Sequence, residues 1–320
     1  MMKSLTIDEA AERLKQNEVV IIPTETVYGL AANIYSDEAI RKVFALKKRP
    51  LHNPLIVHIK SIDDLTEVAS QVPEVAYRLA RNFWPGPLTL VLPKQPSISP
   101  LITAGKDTVA IRMPDHPVTL SLLKKTGFPL AAPSANPFNY ISPTSSDDVR
   151  KAFPELADSI LEGGPCKRGI ESTVIGFHNN DVYLYRYGAV TAEEIEKVLG
   201  KKLLITNHDS EKPSAPGMLS KHYSPKSRLI TTTNVLQDIG LLQGNNIGVL
   251  SFRTHYQHKN IRHQIVLSES GDLREAARNF FAALYALDAL SLDYIVAELL
   301  PQQGLGISVN DRLTRAAAKS

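Results

Sequence analysis

Short apolar runs rich in β-branched residues alternate along this chain with amphipathic helical patterns, and this alternation limits the possible folds. Before residue 207 the sequence predicts seven strands, namely VVIIP (19–23), PLIVHI (54–59), LTLVL (88–92), TVAIRM (108–113), STVIGF (172–177), VYLYRY (182–187) and KLLI (202–205). Helical patterns such as SDEAIRKVFALKK (36–48) fit between them. The HNND segment (178–181) predicts a hairpin, so we expect a mixed α/β domain over residues 1–206 with part of its sheet antiparallel.

The composition changes after residue 206. Residues 207–227, NHDSEKPSAPGMLSKHYSPKS, are polar and rich in proline and serine, which is typical of a linker. Strand patterns then return in RLITTT (228–233), NIGVLSF (246–252) and YIVAEL (294–299), with a long helical pattern over 270–290 and a closing helix. We predict a small doubly wound parallel α/β domain of the Rossmann-like type over residues 228–320.

Several classes of protein are disfavoured by what the sequence lacks. No apolar stretch approaches the ~18 residues of a membrane helix, and Thr6 with Glu9 predicts a capped amphipathic helix near the start instead of a signal peptide. The single cysteine, Cys166, fits a reducing compartment, so we expect a cytoplasmic protein without a membrane partner. The net charge of +3 does not by itself indicate nucleic-acid binding. The motifs GxxxxGK[ST], GxGxxG after a strand, GxSxG and HExxH do not occur.

One arginine lies within an otherwise apolar strand pattern. Alternation in TVAIRM places Thr108, Ala110 and Arg112 on one face of the strand. A buried guanidinium needs an anion, which is either a carboxylate of the protein, such as Glu25 or Glu171, or an anionic group of a substrate.

Other polar stretches leave two interpretations open. Lys47, Lys48 and Arg49 precede Pro50 at a helix end, where they either complement the helix dipole or hold a polyphosphate. His58 in LIVHI is either a hydrogen-bonded structural histidine or a ligand-binding one.

Hydroxyl and arginine side chains continue this pattern further along. APSANPFNYISPT (132–144) is either a rigid pocket wall carrying Ser134, Asn136 and Ser142 or a set of surface turns. Arg186 alternates with Val182 and Leu184, so we expect it on the same strand face as these residues. Taken together, these stretches indicate an anion-binding basin.

Seven ordered motifs of the first 206 residues resemble one known family. They are PTETVYGL (23–30), KKRP (47–50), NPLIVHI (53–59), WPGPLTLVL (84–92), TVAIRMPDHP (108–117), APSAN (132–136) with a later SPT (142–144), and GIESTVIGF (169–177). In this order they resemble the YrdC-like domain of threonylcarbamoyl-AMP synthases. APGMLSKHYSP (215–225) and AELLPQQGLGISVNDRLTRAA (297–317) resemble the linker and the end of the extra domain in the longer, two-domain members.

The resemblance implies an activity. Such enzymes, which are nucleotidyltransferases, join L-threonine, bicarbonate and ATP into threonylcarbamoyl-adenylate and release pyrophosphate, with magnesium accompanying the ATP. A separate complex then transfers the threonylcarbamoyl group to an adenosine of certain tRNAs. The implied fold is a twisted mixed sheet with a concave, positively charged basin.

The resemblance also implies two binding sites and a lid. The threonine site falls on Thr26, His58, Arg112, Ala132 and Ser172, so that the PTETVYGL hydroxyls face the substrate. The nucleotide site falls on Lys47, Arg49, Asn53, Thr108, Ser134, Ser142 and Arg186. His222 and Tyr223 match linker residues that close over the site. Ser224 departs from the family's usual alanine, and the resemblance assigns no general base and no protein metal ligand.

Two other classes of protein remain as alternatives. A non-catalytic RNA-binding module would use the same basic basin without a pocket for one amino acid. A carbamoyl transferase of hydrogenase maturation shares the YrdC-like domain, but its zinc fingers need more cysteines than the one present here. For the second domain, support of a lid, a dimer surface and a docking site for tRNA-modifying partners all fit the sequence.

Overall fold

Two β-sheets organise the chain in a computed structural model, which describes residues 5–179, 181–206, 222–244 and 246–318. Within these ranges the larger sheet has nine strands in the order β1-β2-β6-β3-β5-β4-β7-β8-β9, and the smaller has four in the order β10-β13-β11-β12. The strands are β1 Val20–Ile22, β2 Gly29–Asn33, β3 Ile56–His58, β4 Leu88–Pro93, β5 Thr108–Arg112, β6 Leu130–Ala131, β7 Thr173–His178, β8 Asp181–Arg186, β9 Leu204–Ile205, β10 Arg228–Thr232, β11 Ile247–Ser251, β12 Ile261–Val266 and β13 Tyr294–Glu298.

Helices surround both sheets. They are α1 Ile7–Lys15, α2 Asp37–Lys47, α3 Leu65–Val68, α4 Glu74–Phe83, α5 Pro100–Thr103, α6 Pro117–Thr126, α7 Ser146–Ala152, α8 Ala192–Leu199, α9 Val235–Leu241, α10 Leu273–Asp288 and α11 Leu305–Ala317. Thr6 caps α1 in the predicted capping box, and Ser36 and Thr191 cap α2 and α8. Within the described residues, the helices are all too short or too polar to cross a membrane.

All seven strands predicted for the first domain are present, together with two that were not predicted. β2 and β6 carry the sequences GLAAN and LA, which are short and poor in β-branched residues, so the local pattern gave no strand signal. β2 pairs antiparallel with β1, and PTETVY therefore forms the connection between two adjacent strands. β7 and β8 form the predicted antiparallel hairpin, although its residue 180 lies outside the described part of the chain.

The larger sheet buries one face under helices. Val109 and Ile111 of β5 belong to the main apolar core with residues of α2, α4 and α8, whereas Ala110 lies on the opposite face with Val91 and Val174. The predicted alternation along β5 is therefore confirmed. Burial of the apolar face supplies most of the stabilisation, and the opposite face carries Arg112.

The smaller sheet is parallel throughout, as predicted for the second domain. α9 packs on one face, with Val235 and Ile239 against β11 and β13, while α10 and α11 pack on the other. The sheet is thus doubly wound. The sequence did not predict β12, because this edge strand, IRHQIV, is only partly buried and mixes polar with apolar residues.

The two sheet domains contact each other directly. The Tyr285 hydroxyl donates to the carbonyl of Ile141 at 2.9 Å, and the Ser308 hydroxyl donates to the carbonyl of Gly188 at 2.9 Å. Gly169 has a positive φ of 71°, and a Cβ there would lie 2.2 Å from the carbonyl oxygen of Arg278, so only glycine allows this approach. Residues 207–221 of the predicted linker lie outside the described part of the chain, whereas His222 and Tyr223 are buried.

Packing of the second domain makes a testable contrast between two leucines. Leu284 of α10 is fully buried, whereas Leu241 at the end of α9 is 75% exposed. Leu284→Ala should lower the free energy of unfolding by about 2–5 kcal/mol because it leaves a cavity, and Leu241→Ala should change it by less than about 0.5 kcal/mol. Urea unfolding monitored by circular dichroism measures both. Equal effects would contradict the assigned packing of α10.

Candidate active site

A cleft opens on the face of the larger sheet that the helices leave uncovered. Its empty space, including the solvent-filled mouth, is about 630 Å³. The lining residues come from segments spread between positions 24 and 223: Thr24, Thr26, Val27, Gly29, Arg49, Pro54, Leu55, Ile56, His58, Arg112, Ala132, Pro133, Ser134, Glu171, Ser172, Arg186, His222 and Tyr223.

The sheet register brings the predicted threonine-site residues together. His58 and Arg112 are direct partners on the parallel strands β3 and β5, and both lie at the carboxyl ends of those strands. Ala132 follows β6, which pairs with β3 on its other side, and Ser172 precedes β7. All four residues line the cleft together with Thr26.

A hydrogen-bonded turn fixes the two threonines of PTETVYGL. The Thr24 hydroxyl donates to the carbonyl of Val27 at 2.6 Å and lies 2.9 Å from the Thr26 hydroxyl oxygen. Because the Thr24 hydroxyl donates its proton to Val27, the Thr26 hydroxyl donates to the Thr24 oxygen. The Thr26 oxygen in turn accepts a hydrogen bond from Nη1 of Arg112 at 2.9 Å. The proton of Thr26 is thus used within the protein, and its remaining lone pair is available to a ligand.

Glu25 is the protein carboxylate that accompanies Arg112. Nη2 of Arg112 lies 2.6 Å from Oε2 of Glu25, and both side chains are at least 95% buried. Nε of Arg112 donates to the carbonyl of Gly86 at 3.3 Å. Of the two carboxylates considered from the sequence, Glu25 makes this ion pair, whereas Glu171 pairs with Arg312 of α11.

His58 is held as a neutral side chain. Burial lowers its pKa to about 3, and the nearby charge of Arg112 contributes in the same direction. The side chain is 3% exposed, and its Nδ1 has no hydrogen-bond partner in the described part of the chain. A histidine with this pKa is a weak base at neutral pH, which favours a role in orienting a ligand.

The prediction that Arg186 shares a strand face with Val182 and Leu184 is wrong. Leu184 pairs with Ile175 on the core face, but Arg186 pairs with Val174, and the register shifts between these two pairs. Tyr185 is therefore an extra residue, and this β-bulge turns Arg186 onto the face that carries the cleft. There its Nε and Nη2 donate to the carbonyl of Ser172 at 3.1 and 2.8 Å.

The three cations of the basic turn KKRP lie in different environments. Lys48 is exposed with a positive φ of 51°, while the ammonium of Lys47 donates to the carbonyls of Ser134 and Asn136 behind the cleft wall. Arg49 lines the cleft and donates to the carbonyls of Asn53 and Pro54 at 3.1 and 2.8 Å. Burial, followed by repulsion from Arg186, lowers the pKa of Arg49 to about 9, so it stays charged at neutral pH.

Four residues predicted for the nucleotide site do not line the cleft. Lys47 and Asn53 are buried beside Arg49, and the side-chain amide of Asn53 has no hydrogen-bond partner in the part of the chain that the structure describes. Ser142 is buried and donates to Oε1 of Glu171 at 2.6 Å. Thr108 lies at the opposite end of β5 from Arg112, about 13 Å along the strand at ~3.3 Å per residue.

The second domain supplies residues that the sequence analysis missed. Arg312 of α11 is fully buried and donates from Nε to Oε2 of Glu171 at 2.8 Å. The guanidinium carbons of Arg312 and Arg315 lie 5.6 and 5.1 Å from the ring centroid of Tyr223. Leu305, Val309, Arg312 and Ala316 recur at helical spacing on the buried face of α11, so an arginine within an apolar helical stripe was the available signal.

Tyr223 is fixed from several sides. Its ring lies 5.5 Å from that of Phe281 and 4.1 Å from that of His222. Its φ of 67° is in the left-handed region, which costs a non-glycine residue roughly 1–2 kcal/mol and persists only where packing determines it. The backbone N–H of His222 donates to the carbonyl of Arg315 at 3.3 Å. The predicted lid residues are therefore packed between the cleft and α11.

Histidine, cysteine and carboxylate side chains do not form a metal-binding group of three or more in the described ranges. The cleft instead combines an ion-paired arginine and a neutral histidine at one end with arginines at the other. Such a site suits an amino acid and an extended anion bound side by side.

Sequence comparisons show the family to which the chain belongs. Residues 12–188 match the Sua5, YciO and YrdC family model, described as "Telomere recombination", and residues 190–318 match the model described as "Threonylcarbamoyl-AMP synthase, C-terminal domain". The threonylcarbamoyl-AMP synthase of Bacillus subtilis is 40% identical over 323 residues, covering 97% of this chain and 92% of that protein. That of Pyrococcus abyssi is 38% identical over 321 residues, covering 96% and 93%.

A solved structure matches over the whole chain. The crystal structure of P. abyssi Sua5 complexed with L-threonine superposes with a TM-score of 0.91 at 39% identity, covering 97% of this chain and 94% of that one. The fold and cleft thus define a two-domain protein of the YrdC-like class. More narrowly, the chain belongs to the threonylcarbamoyl-AMP synthase family.

The depressed pKa of His58 makes stability depend on pH. The unfolded chain binds a proton at this histidine below its ordinary pKa of 6.5, whereas the folded chain does so only near pH 3. The free energy of unfolding should therefore fall as pH decreases from about 6.5 toward 3, with His58 contributing at most roughly 1.4 kcal/mol per pH unit. Urea unfolding across this range should show a smaller slope for His58→Gln. An unchanged slope would contradict the assigned environment.

Proposed function

We propose that this protein synthesises L-threonylcarbamoyl-adenylate from L-threonine, bicarbonate and ATP and releases pyrophosphate. In reaction class it is then a nucleotidyltransferase. The observation that carries this proposal is the shared cleft, in which Thr26, His58 and Arg112 lie next to Arg49 and Arg186. The family membership and the L-threonine bound to the P. abyssi structure support the same reaction.

In this reaction Arg112 binds the carboxylate of threonine. A guanidinium has five N–H donors, and the contacts to Gly86, Thr26 and Glu25 leave two for a substrate. Neutral His58 orients the amino acid, and the free lone pair of Thr26 accepts a hydrogen bond from it. Ala132 and Ser172 form the adjacent walls of the threonine pocket. Held in this way, the amine loses its proton and takes up carbon dioxide, which bicarbonate supplies by losing hydroxide; a carbamate forms, and water and one proton are released.

The arginine end of the cleft then binds ATP. The carbamate oxygen attacks the α-phosphorus, a new P–O bond forms, and the bond to the β-phosphate oxygen breaks as pyrophosphate leaves. Arg49 and Arg186 stabilise the charge that develops on the phosphates. Ser134 contacts the nucleotide directly, whereas Lys47, Asn53 and Ser142 support the wall behind it. Magnesium enters as part of the MgATP substrate, held mainly by phosphate oxygens.

The product is an activated acyl-adenylate, so a second reaction must consume it. We infer that a separate tRNA-modifying complex transfers the threonylcarbamoyl group to an adenosine, and that His222 and Tyr223 close over the cleft until then. We also place the enzyme in the cytoplasm, because its single cysteine, Cys166, is free, as is typical of a reducing compartment. Thr108, at the far end of β5, extends the proposed nucleotide surface beyond the cleft.

A pyrophosphate-release assay tests the reaction. With L-threonine, bicarbonate and MgATP together, the protein should release pyrophosphate and form a threonylcarbamoyl-adenylate detectable by mass spectrometry. Omission of threonine or bicarbonate should abolish both the release of pyrophosphate and the formation of the adenylate. Serine and valine should each be poorer substrates by roughly tenfold or more, because each lacks one of the two groups, methyl and hydroxyl, that the pocket contacts. Release that does not depend on threonine would refute the proposal and favour a binding module.

Two matched arginine-to-lysine variants separate the proposed subsites. Arg112→Lys keeps a cation beside Glu25 but loses the planar fork that binds a carboxylate. It should raise the KM for threonine by about tenfold or more and leave that for ATP within about twofold. Arg49→Lys should do the reverse.

Thermal unfolding of both variants serves as the folding control. If either variant changes both KM values equally, the assignment of these arginines to separate subsites is incorrect.

A further inference from the structure

Arg312 joins the last helix of the chain to the cleft of the first domain. Besides its bond to Glu171, its Nη1 donates to the carbonyls of Tyr187 at 3.0 Å and Ser308 at 2.8 Å. These contacts hold the guanidinium in one orientation between α11 and Tyr187, the residue that follows β8. The side chain is 0% exposed.

Glu171 lies within the influence of two arginines. Burial alone would raise the pKa of its carboxyl, but Arg312, then Arg186, and then the Ser142 hydroxyl together lower it, so the group is ionised. Glu171 and Arg186 both line the cleft. The nearest residue along the chain, Ser172, accepts from Arg186 at its carbonyl and, at 3.0 Å, at its hydroxyl.

This arrangement creates a competition for one carboxylate. A buried carboxylate that loses its partner pairs with the next available cation, because an isolated charge in the interior is costly. Arg186 is that cation here, because it lines the same cleft as Glu171 and donates to Ser172, the next residue along the chain. An arginine that is neutralised by Glu171 would attract a phosphate less strongly.

We propose that Arg312 is a positioning residue that holds Glu171 away from Arg186 and thereby leaves the charge of Arg186 available to the phosphates of the nucleotide. The proposal rests on the proposed function, because it assumes that Arg186 binds ATP. It gives the second domain a role in nucleotide binding without requiring that α11 touch the substrate.

The alternative is that Arg312 only fastens the two domains together. Arg274 of α10 provides a control, because its Nη2 lies 3.4 Å from Oε1 of Glu194 across the same pair of domains. That pair is exposed, with side-chain exposures of 72% and 43%, and neither residue lines the cleft. Arg274→Met therefore removes an exposed arginine–glutamate contact between the domains without affecting Glu171.

Calorimetric titration of the full chain with ATP, in magnesium buffer, tests the proposal. Arg312→Met should weaken ATP binding by at least about tenfold, because Glu171 then pairs with Arg186. The double variant Arg312→Met/Glu171→Gln should recover most of this loss, since the competing charge is gone. Arg274→Met should bind ATP as the unaltered chain does. Threonine binding, titrated separately, should stay within about twofold in every variant.

Two results would overturn the proposal. One is unchanged ATP affinity in Arg312→Met, and the other is an equal loss in the single and double variants, which a merely structural role predicts. If Arg312→Met does not fold, Arg312→Lys with and without Glu171→Gln makes the same comparison, because a lysine holds the carboxylate less firmly. Failure of the proposed function is distinguishable: it appears in the unaltered chain as absent threonine-dependent pyrophosphate release.

Discussion

Burial of more positive than negative charge in one cleft is the constraint on which the rest of the structure depends. Arg49, Arg186, Arg312 and Arg315 lie around Tyr223. Glu171 pairs with Arg312 and Asp311 with Arg315, whereas the cleft arginines Arg49 and Arg186 have no carboxylate within ion-pair distance among the described residues. Arginines removed from water without enough carboxylates are costly, and the pKa of Arg49 falls to about 9 as a result. A polyphosphate would offset this cost. The backbone carbonyls of Asn53, Pro54 and Ser172 hold the guanidinium groups of Arg49 and Arg186 in place.

The parts of the fold that depend on local pattern were predictable from the sequence. The alternation in TVAIRM gave the two faces of β5 correctly, because a strand with a regular ladder keeps a period of two. The same reasoning failed at Arg186, where the bulge at Tyr185 breaks the period. A bulge is set by pairing with the neighbouring strand, so residues 182–187 alone carry no sign of it. Its effect is functional, since it turns an arginine from the core face into the cleft.

Long-range contacts limit how much of the site can be predicted from the sequence. The resemblance of the first domain's motifs indicated residues that the register of β3 and β5 then brings together. The sequence did not reveal the contribution of α11 to the site, because Arg312 and Glu171 are 141 residues apart and belong to layers that pack on different sheets. Helical spacing placed Arg312 in line with Leu305 and Val309, which marks a buried arginine but not its partner. Tyr223 likewise adopts its left-handed backbone through contacts with α10 and α11, and no local pattern predicts these.

The two ends of the cleft differ in charge, and this difference fits the amino acid and the nucleotide of the proposed reaction. At the threonine end, Glu25 neutralises Arg112 and burial keeps His58 uncharged, so this end carries little net charge. A zwitterionic amino acid also has no net charge, and it can bind there without leaving an excess of either sign. At the other end, Arg312 engages Glu171, and Arg49 and Arg186 line a cleft that suits a strongly anionic ligand. In the proposed reaction the protein would therefore separate its substrates by how it pairs its own carboxylates: Glu25 pairs with the arginine beside the amino acid, and Arg312 keeps Glu171 from the arginine proposed to bind the phosphates.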